Sequence, residues 1–246
     1  MVDVPKTDAT FIASFNYYLP QNAMLYLDSE GDFKTVVGGA GENPEMPKSV
    51  DDAINKINSK EYFISDITSQ VYKRNPTAPF TTSTMQQVAS GKCGFGASRT
   101  MQIAQRLYQG IDMEGETVGL ITYMRTDSPN LSQEAINGAR DSIEELYGKE
   151  YLSDKPRQFK TKDSAAQEAH EAIRPAGSSF KHPDETGLTG KDKALYELIW
   201  KRTLASQMKE ATKSNMQVKI EVDGAQFNAN GSRIIFPGFL RVYVEG

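Results

Sequence analysis

The chain has 246 residues, enough for one large domain or two ordinary ones, and its 38% hydrophobic and 24% charged residues are a globular composition. A net charge of -4 argues against a general polyanion binder, and no apolar run approaches the length of a membrane helix, so no membrane partner is expected. One cysteine, Cys93, excludes an internal disulfide framework, and the opening MVDVPKTDATF has no secretory pattern, which together predict a reducing, cytoplasmic setting.

Residues 11–15 and 25–34 are predicted β, the second folded into a hairpin around Gly31. A short helix is expected over 49–59, then a strand over 62–72 with Phe63, Ile67 and Val71 on one side against Ser65 and Ser69. Pro76 and Pro79 break that pattern, and Ser83 with Gln86 has the form of a capping box that opens a helix. A second helix is expected over 98–108, with Met101, Ala104, Leu107 and Tyr108 as its apolar face. Asp112, Glu114 and Glu116 alternate as a metal site might, but further ligands are lacking and a solvated loop is the expected reading.

Ser132 is a good N-cap for a helix bearing Ile136, Ala139, Ile143 and Leu146 and ended by Gly148. A fourth helix is expected over 164–173, stopping before Pro175, and the longest over 192–208. The tail returns to β: Asp223-Gly224 and Asn230-Gly231, each between alternating runs, predict a three-stranded meander over 216–243. The fold class is therefore mixed α+β. The expected division is a β-rich domain over 1–76 and 210–246, with a helical domain, 77–209, inserted between its halves.

Two clusters carry chemistry. In Thr122-Tyr123-Met124-Arg125-Thr126-Asp127-Ser128 a phenol lies two residues from a guanidinium and four from a carboxylate. A phenol of pKa about 10 is only about 0.1% ionised at neutral pH, so its use as a nucleophile needs help, and a guanidinium favours the phenolate and can grip two phosphate oxygens. An ordinary turn with a surface Arg–Asp pair has the same spacing. In Gln167-Glu168-Ala169-His170-Glu171-Ala172-Ile173-Arg174-Pro175, a helix would bring Gln167, His170 and Arg174 to one face, a natural surface for phosphate. A lone histidine is more often structural than catalytic. Lys73, Arg74, Lys92, Arg99, Arg106 and Arg125 add cations, as a basic groove or simply a solvated face.

At these residues the chain resembles the type IA DNA topoisomerases. The likeness runs in order through PFTTSTMQQ (79–87), Thr100-Met101, AQRLY (104–108), GLITYMRTDS (119–128), QEAHEAIRP (167–175), Leu195-Tyr196 with Leu198-Ile199-Trp200, and ASQM (205–208). The resemblance implies that Tyr123 attacks a phosphodiester of single-stranded DNA and becomes linked to its 5′ phosphate, so that a strand passes before religation and negative supercoils relax. It implies that Arg125 holds the scissile phosphate, that His170 contributes to the phosphate site, and that Thr122, Asp127, Ser128, Gln167, Arg174 and Arg99 line the DNA path.

By the same resemblance the helical middle carries the tyrosine and the β-rich ends belong to an arch. An amino-terminal domain with an acidic Mg²⁺ cluster is expected to precede this part and another domain to follow it; this chain contains no Asp-x-Asp pair and no metal ligands of its own are expected. The chain then reads as an internal part of a longer enzyme, inactive by itself. The alternative is a noncatalytic single-strand-binding module of the same fold.

Overall fold

The computed structural model describes residues 14–18, 24–27, 33–36, 61–113, 116–159, 171–222 and 225–244. In chain order the elements are β1 (Ser14–Tyr18), β2 (Met24–Leu27), β3 (Phe33–Val36), β4 (Phe63–Arg74), α1 (Thr82–Cys93), α2 (Ala97–Gln109), β5 (Ile111–Met113) and β6 (Glu116–Val118). They continue with α3 (Gln133–Tyr147), α4 (Gly190–Gln207), β7 (Ala211–Val222) and β8 (Ala225–Phe236). The chain is thus α+β, β at both ends and helical between. It divides into two compact units, residues 1–72 with 213–234 and residues 73–212 with 235–246. No described helix is long and apolar enough to cross a membrane.

The first unit is built on a six-stranded sheet in the order β3-β2-β1-β8-β7-β4. The hairpin expected around Gly31 forms as β2 and β3, antiparallel with Leu27 opposite Phe33. The helix expected over 49–59 lies outside the described residues. The faces expected of β4 need correction: residues two apart share a face, so Ser65 and Ser69 lie on the same side as Phe63, Ile67 and Val71. Both serines turn to β7, Ser65 Oγ donating to the Lys219 carbonyl at 3.4 Å and Ser69 Oγ lying 3.3 Å from Ser214 Oγ. The meander also needs correction. β8 runs unbroken through Asn230-Gly231, because a two-residue hairpin turn needs positive φ at its centre and Gly231 does not adopt it. Flanked by β1 and β7, β8 keeps its ladder, and the tail has two strands followed by a 3₁₀ turn, Gly238–Arg241. Asp223 and Gly224 themselves lie outside the described residues.

In the second unit α4 is the central helix, touching α1, α2 and α3, and its last ten residues are buried except Lys201. Its buried side chains Leu195, Tyr196, Ile199, Trp200 and Leu204 join Phe80, Met85, Ile103, Leu107, Met124, Ile143 and Ile173 in one core. The cap of α1 lies two residues before the expected Ser83: Thr81 Oγ1 accepts from the Thr84 amide and Thr84 Oγ1 accepts from the Thr81 amide, a reciprocal pair. Ser132 caps α3 and Gly148 ends it as expected, but Leu146 is exposed. Gly138 lets α3 approach the loop after Pro175, since a Cβ there would stand 1.9 Å from the Ser178 carbonyl oxygen. On α2 the buried face is Thr100, Ile103, Ala104 and Leu107, so Tyr108, expected inside, stands at the surface. The expected acidic loop is a hairpin, β5 paired with β6 and Met113 opposite Glu116.

The helix expected over 164–173 fails where it can be seen. Glu171 to Ile173 are not helical, and Ile173 forms an antiparallel bridge to Phe80, donating its amide to the Phe80 carbonyl at 2.8 Å. Arg174 therefore does not lie on a helix face that continues Gln167 and His170, both of which lie outside the described residues.

Candidate active site

Gly119 opens the tyrosine segment with a close approach: a Cβ there would stand 2.8 Å from the Tyr108 carbonyl oxygen, and the next amide, of Leu120, donates to the Leu107 carbonyl at 2.7 Å. From this anchor the segment bends at Thr122 and Met124 and continues without regular structure. Met124, Thr126 and Ser128 are buried, while Tyr123, Arg125 and Asp127 are exposed. Alternation of period two is the signature of a strand, yet no ladder runs along these residues. The phenol, guanidinium and carboxylate share the outward side, which is what their spacing of two and four accomplishes.

The inward side is held by side chains of other elements. Thr82, first residue of α1, accepts from the Thr126 amide at 2.9 Å through Oγ1, which lies 2.8 Å from the Met124 carbonyl and 3.0 Å from that of Thr126. The Thr82 amide donates to the Thr126 carbonyl at 2.8 Å. Upstream, the Thr122 amide donates to the Arg174 carbonyl, while Thr122 Oγ1 donates to the Ala172 carbonyl at 2.7 Å and accepts from the Arg174 amide. An Ile121–Pro175 bridge extends this seam. The two motifs, far apart in sequence, are thus laced together through the backbone.

Three residues expected at DNA face inward instead. Thr122 spends its hydroxyl on the 172–174 backbone, and Ser128 is fully buried, its Oγ accepting from the Asn130 amide. Arg174 is buried, with Nε and Nη2 on Glu171 Oε2 at 3.0 and 2.7 Å and Nη1 on the carbonyls of Pro175 and Gly177. Such a guanidinium would have to break four hydrogen bonds to reach a phosphate, so its place is that of a clamp. Glu171, which the sequence reading passed over between His170 and Arg174, completes that clamp: its Oε1 accepts from the Ser132 amide at 2.8 Å at the start of α3. Burial pushes its carboxyl up, but the bonds from Ser132 and the charge of Arg174 outweigh that and hold it below the ordinary carboxylate range.

Tyr123 is 45% exposed and its ring meets that of Tyr108 edge-on, centroids 5.4 Å apart. Arg125 is exposed and forms no ion pair among the described residues; it lines an open groove with Ser98, Met101, Gln102, Gln105 and Arg106. Arg99, also exposed, stands on α2 one turn before Gln102. An exposed phenol two residues from a guanidinium that has no carboxylate partner among the described residues suits attack on an anionic ester. Among the described residues no three carboxylate, imidazole or thiolate groups converge as a metal site would require.

The DNA topoisomerase family model matches residues 25–246. The chain is 52% identical over 191 residues to DNA topoisomerase 1 of Synechococcus elongatus, covering 78% of this chain and 21% of that protein. It is 51% identical over 195 residues to the Streptomyces coelicolor enzyme, 77% of this chain and 20% of the relative. Its fold is similar to full-length topoisomerase I from Thermotoga maritima, with a TM-score of 0.70 and 31% identity over 96% of this chain and 36% of that one. The chain spans about a fifth of the curated relatives it matches. With the family model matched over nine-tenths of its length and half of the aligned residues identical to bacterial DNA topoisomerase 1, the chain belongs to the DNA topoisomerase family.

Proposed function

We propose that this chain is the part of a type IA DNA topoisomerase that carries the nucleophile. The observation that carries this reading is the outward row Tyr123, Arg125 and Asp127, an exposed phenol beside a guanidinium with no ion pair among the described residues, on a segment pinned from behind. Tyr123 Oη attacks the phosphorus of a single-stranded phosphodiester; the new bond is O–P, the bond to the 3′ oxygen breaks, and the phenolic proton is exchanged for one on the released 3′ hydroxyl. One ester replaces another, so the step reverses without an added energy source, and a strand passed in between relaxes negatively supercoiled DNA. Arg125 stabilises the charge that builds on the phosphoryl oxygens. Asp127, which is not paired with Arg125, takes a proton. Arg174 and Glu171 position the tyrosine segment through the 172–174 backbone rather than touching DNA, and Arg99 adds charge along the strand's path.

His170 completes the phosphate site in this reading. His170→Ala is then expected to weaken cleavage more at about pH 6 than at about pH 8.5, since the advantage requires a protonated ring. A defect equal at both would assign it a neutral role. Mg²⁺, held by carboxylates expected elsewhere in the longer enzyme, would supply charge neutralisation at the phosphate. Without that surface the chain by itself is expected to bind single-stranded DNA weakly and not to cleave it. The test is to incubate the purified chain with labelled single-stranded DNA and Mg²⁺, alone and mixed with the amino-terminal part of a relative. A covalent adduct only on mixing supports the reading; an adduct from the chain alone would overturn the division of labour, and none in either case would remove Tyr123 as nucleophile.

A further inference from the structure

Beside the exposed Arg99 and Arg106, the outward side of α2 carries a row of neutral groups. Opposite its buried stripe, Ser98, Met101, Gln105 and Tyr108 recur at intervals of three and four residues, with Gln102 beside them. A solvated face is normally charged, but this stripe offers a hydroxyl, a thioether, two amides and a phenol. Neither Gln102 nor Gln105 has a side-chain hydrogen bond among the described residues, and Tyr108 is 41% exposed. Two contacts tie the stripe to the tyrosine segment: Arg125 joins Ser98, Met101, Gln102 and Gln105 in lining the groove of about 480 Å³, and the Tyr108 ring touches that of Tyr123.

Neutral amides beside an exposed aromatic ring fit nucleobases better than phosphates. Single-stranded bases stack on aromatic side chains and present their edges to amides, and glutamine matches the donor–acceptor pair of adenine. We propose that this stripe is a nucleotide subsite: bases flanking the phosphate attacked by Tyr123 lie along α2, one stacked on Tyr108 and its neighbours read by Gln102 and Gln105, while Arg125 holds the phosphate between them. The proposal rests on Tyr123 being the nucleophile for its place in the reaction. From Ser98 to Tyr108 the helix rises about 15 Å, room for more than one nucleotide. Arg106, tied to Asp192, borders the groove as a fixed cation.

The test measures binding of a short fluorescent single-stranded oligonucleotide by the full chain, carried in a Tyr123→Phe background so that no adduct forms. Tyr108→Leu is expected to weaken binding about tenfold, the loss of one stacked base, and Tyr108→Phe to stay within about twofold of the parent. When a single abasic nucleotide is moved along the oligonucleotide, one position should cost the Tyr108 protein the same factor and cost Tyr108→Leu nothing further. Gln102→Ala combined with Gln105→Ala, at surface positions that leave the core intact, should flatten any preference among bases at the adjoining position. Additive losses at every abasic position, unchanged binding by the leucine and double alanine variants, or no binding by the parent would each overturn the subsite. Non-additive binding with no adduct in the mixing experiment would instead sink the nucleophile and leave the subsite standing.

Discussion

The tyrosine segment and strand β4 invert the usual association of regular structure with burial. Residues 120–128 have no ladder, yet every second residue from Met124 is buried; β4 is a regular strand of 12 residues, yet Phe63, Ile64, Ile67 and Val71 are all more than half exposed. The segment owes its shape to three threonines: Thr82 and Thr122, whose hydroxyls hold neighbouring backbone, and Thr126, whose hydroxyl accepts from the Ser128 amide. β4 owes its shape to hydrogen bonding at the edge of its sheet. Side-chain pinning fixes the direction of each outward group, which a nucleophile needs, whereas a ladder fixes only the backbone.

The largest effect separates outward from inward residues within the segment. Tyr123→Phe should abolish covalent attachment in the complete enzyme and leave single-strand binding within a few-fold, because only the reacting oxygen is lost; an adduct in that variant would refute the assignment. Arg125→Lys keeps the charge but not the fork, and cleavage should fall on the order of 10²-fold. Wild-type cleavage by it would make Arg125 a structural or solvated surface residue.

Inward changes should act on stability first. Thr82→Val keeps the shape but leaves the Thr126 amide without its acceptor, and about 2 kcal/mol should be lost in chemical denaturation. An unchanged midpoint would mean that the pinning is incidental. Glu210, just before β7, tests charge instead of shape: a hydrogen bond from Lys73 at 2.7 Å and one from its own amide, with the charges of Lys73 and Arg157, hold its carboxyl down to about 2. A depressed carboxyl contributes stability that is complete above its unfolded value near 4.5 and is lost as pH falls toward about 2. Glu210→Gln should remove on the order of 1–2 kcal/mol at neutral pH and flatten the profile in that window, the exposure of Lys73 limiting the gain. The smallest effect belongs to β4, where Ile67→Thr should change stability by less than about 0.5 kcal/mol. A loss above about 1 kcal/mol would show that the strand is covered in the working protein.

The α+β order, the helix from Ser132 to Gly148, and the burial of Leu195, Leu198 and Ile199 were legible because local spacing and caps decide them. So was the crowding of Tyr123, Arg125 and Asp127, which a period of two turns outward together. What periodicity could not supply was the context that overrides it. Asn230-Gly231 reads as a turn until β1 and β7 hold β8 straight, and Ile173 reads as helical until Phe80 takes its amide. Arg174 reads as a phosphate-facing group and Ser128 as part of the DNA path, since a sequence lists polar groups without saying which are already satisfied; only the packed structure turns them inward, where burial without a partner would cost too much. The sequence by itself determined which chemical groups are present and how closely they are spaced along the tyrosine segment. The tertiary structure decided which of them remain free to meet a substrate, because burial and the hydrogen bonds made on packing, within the 171–177 loop and between it and the tyrosine segment, settle that.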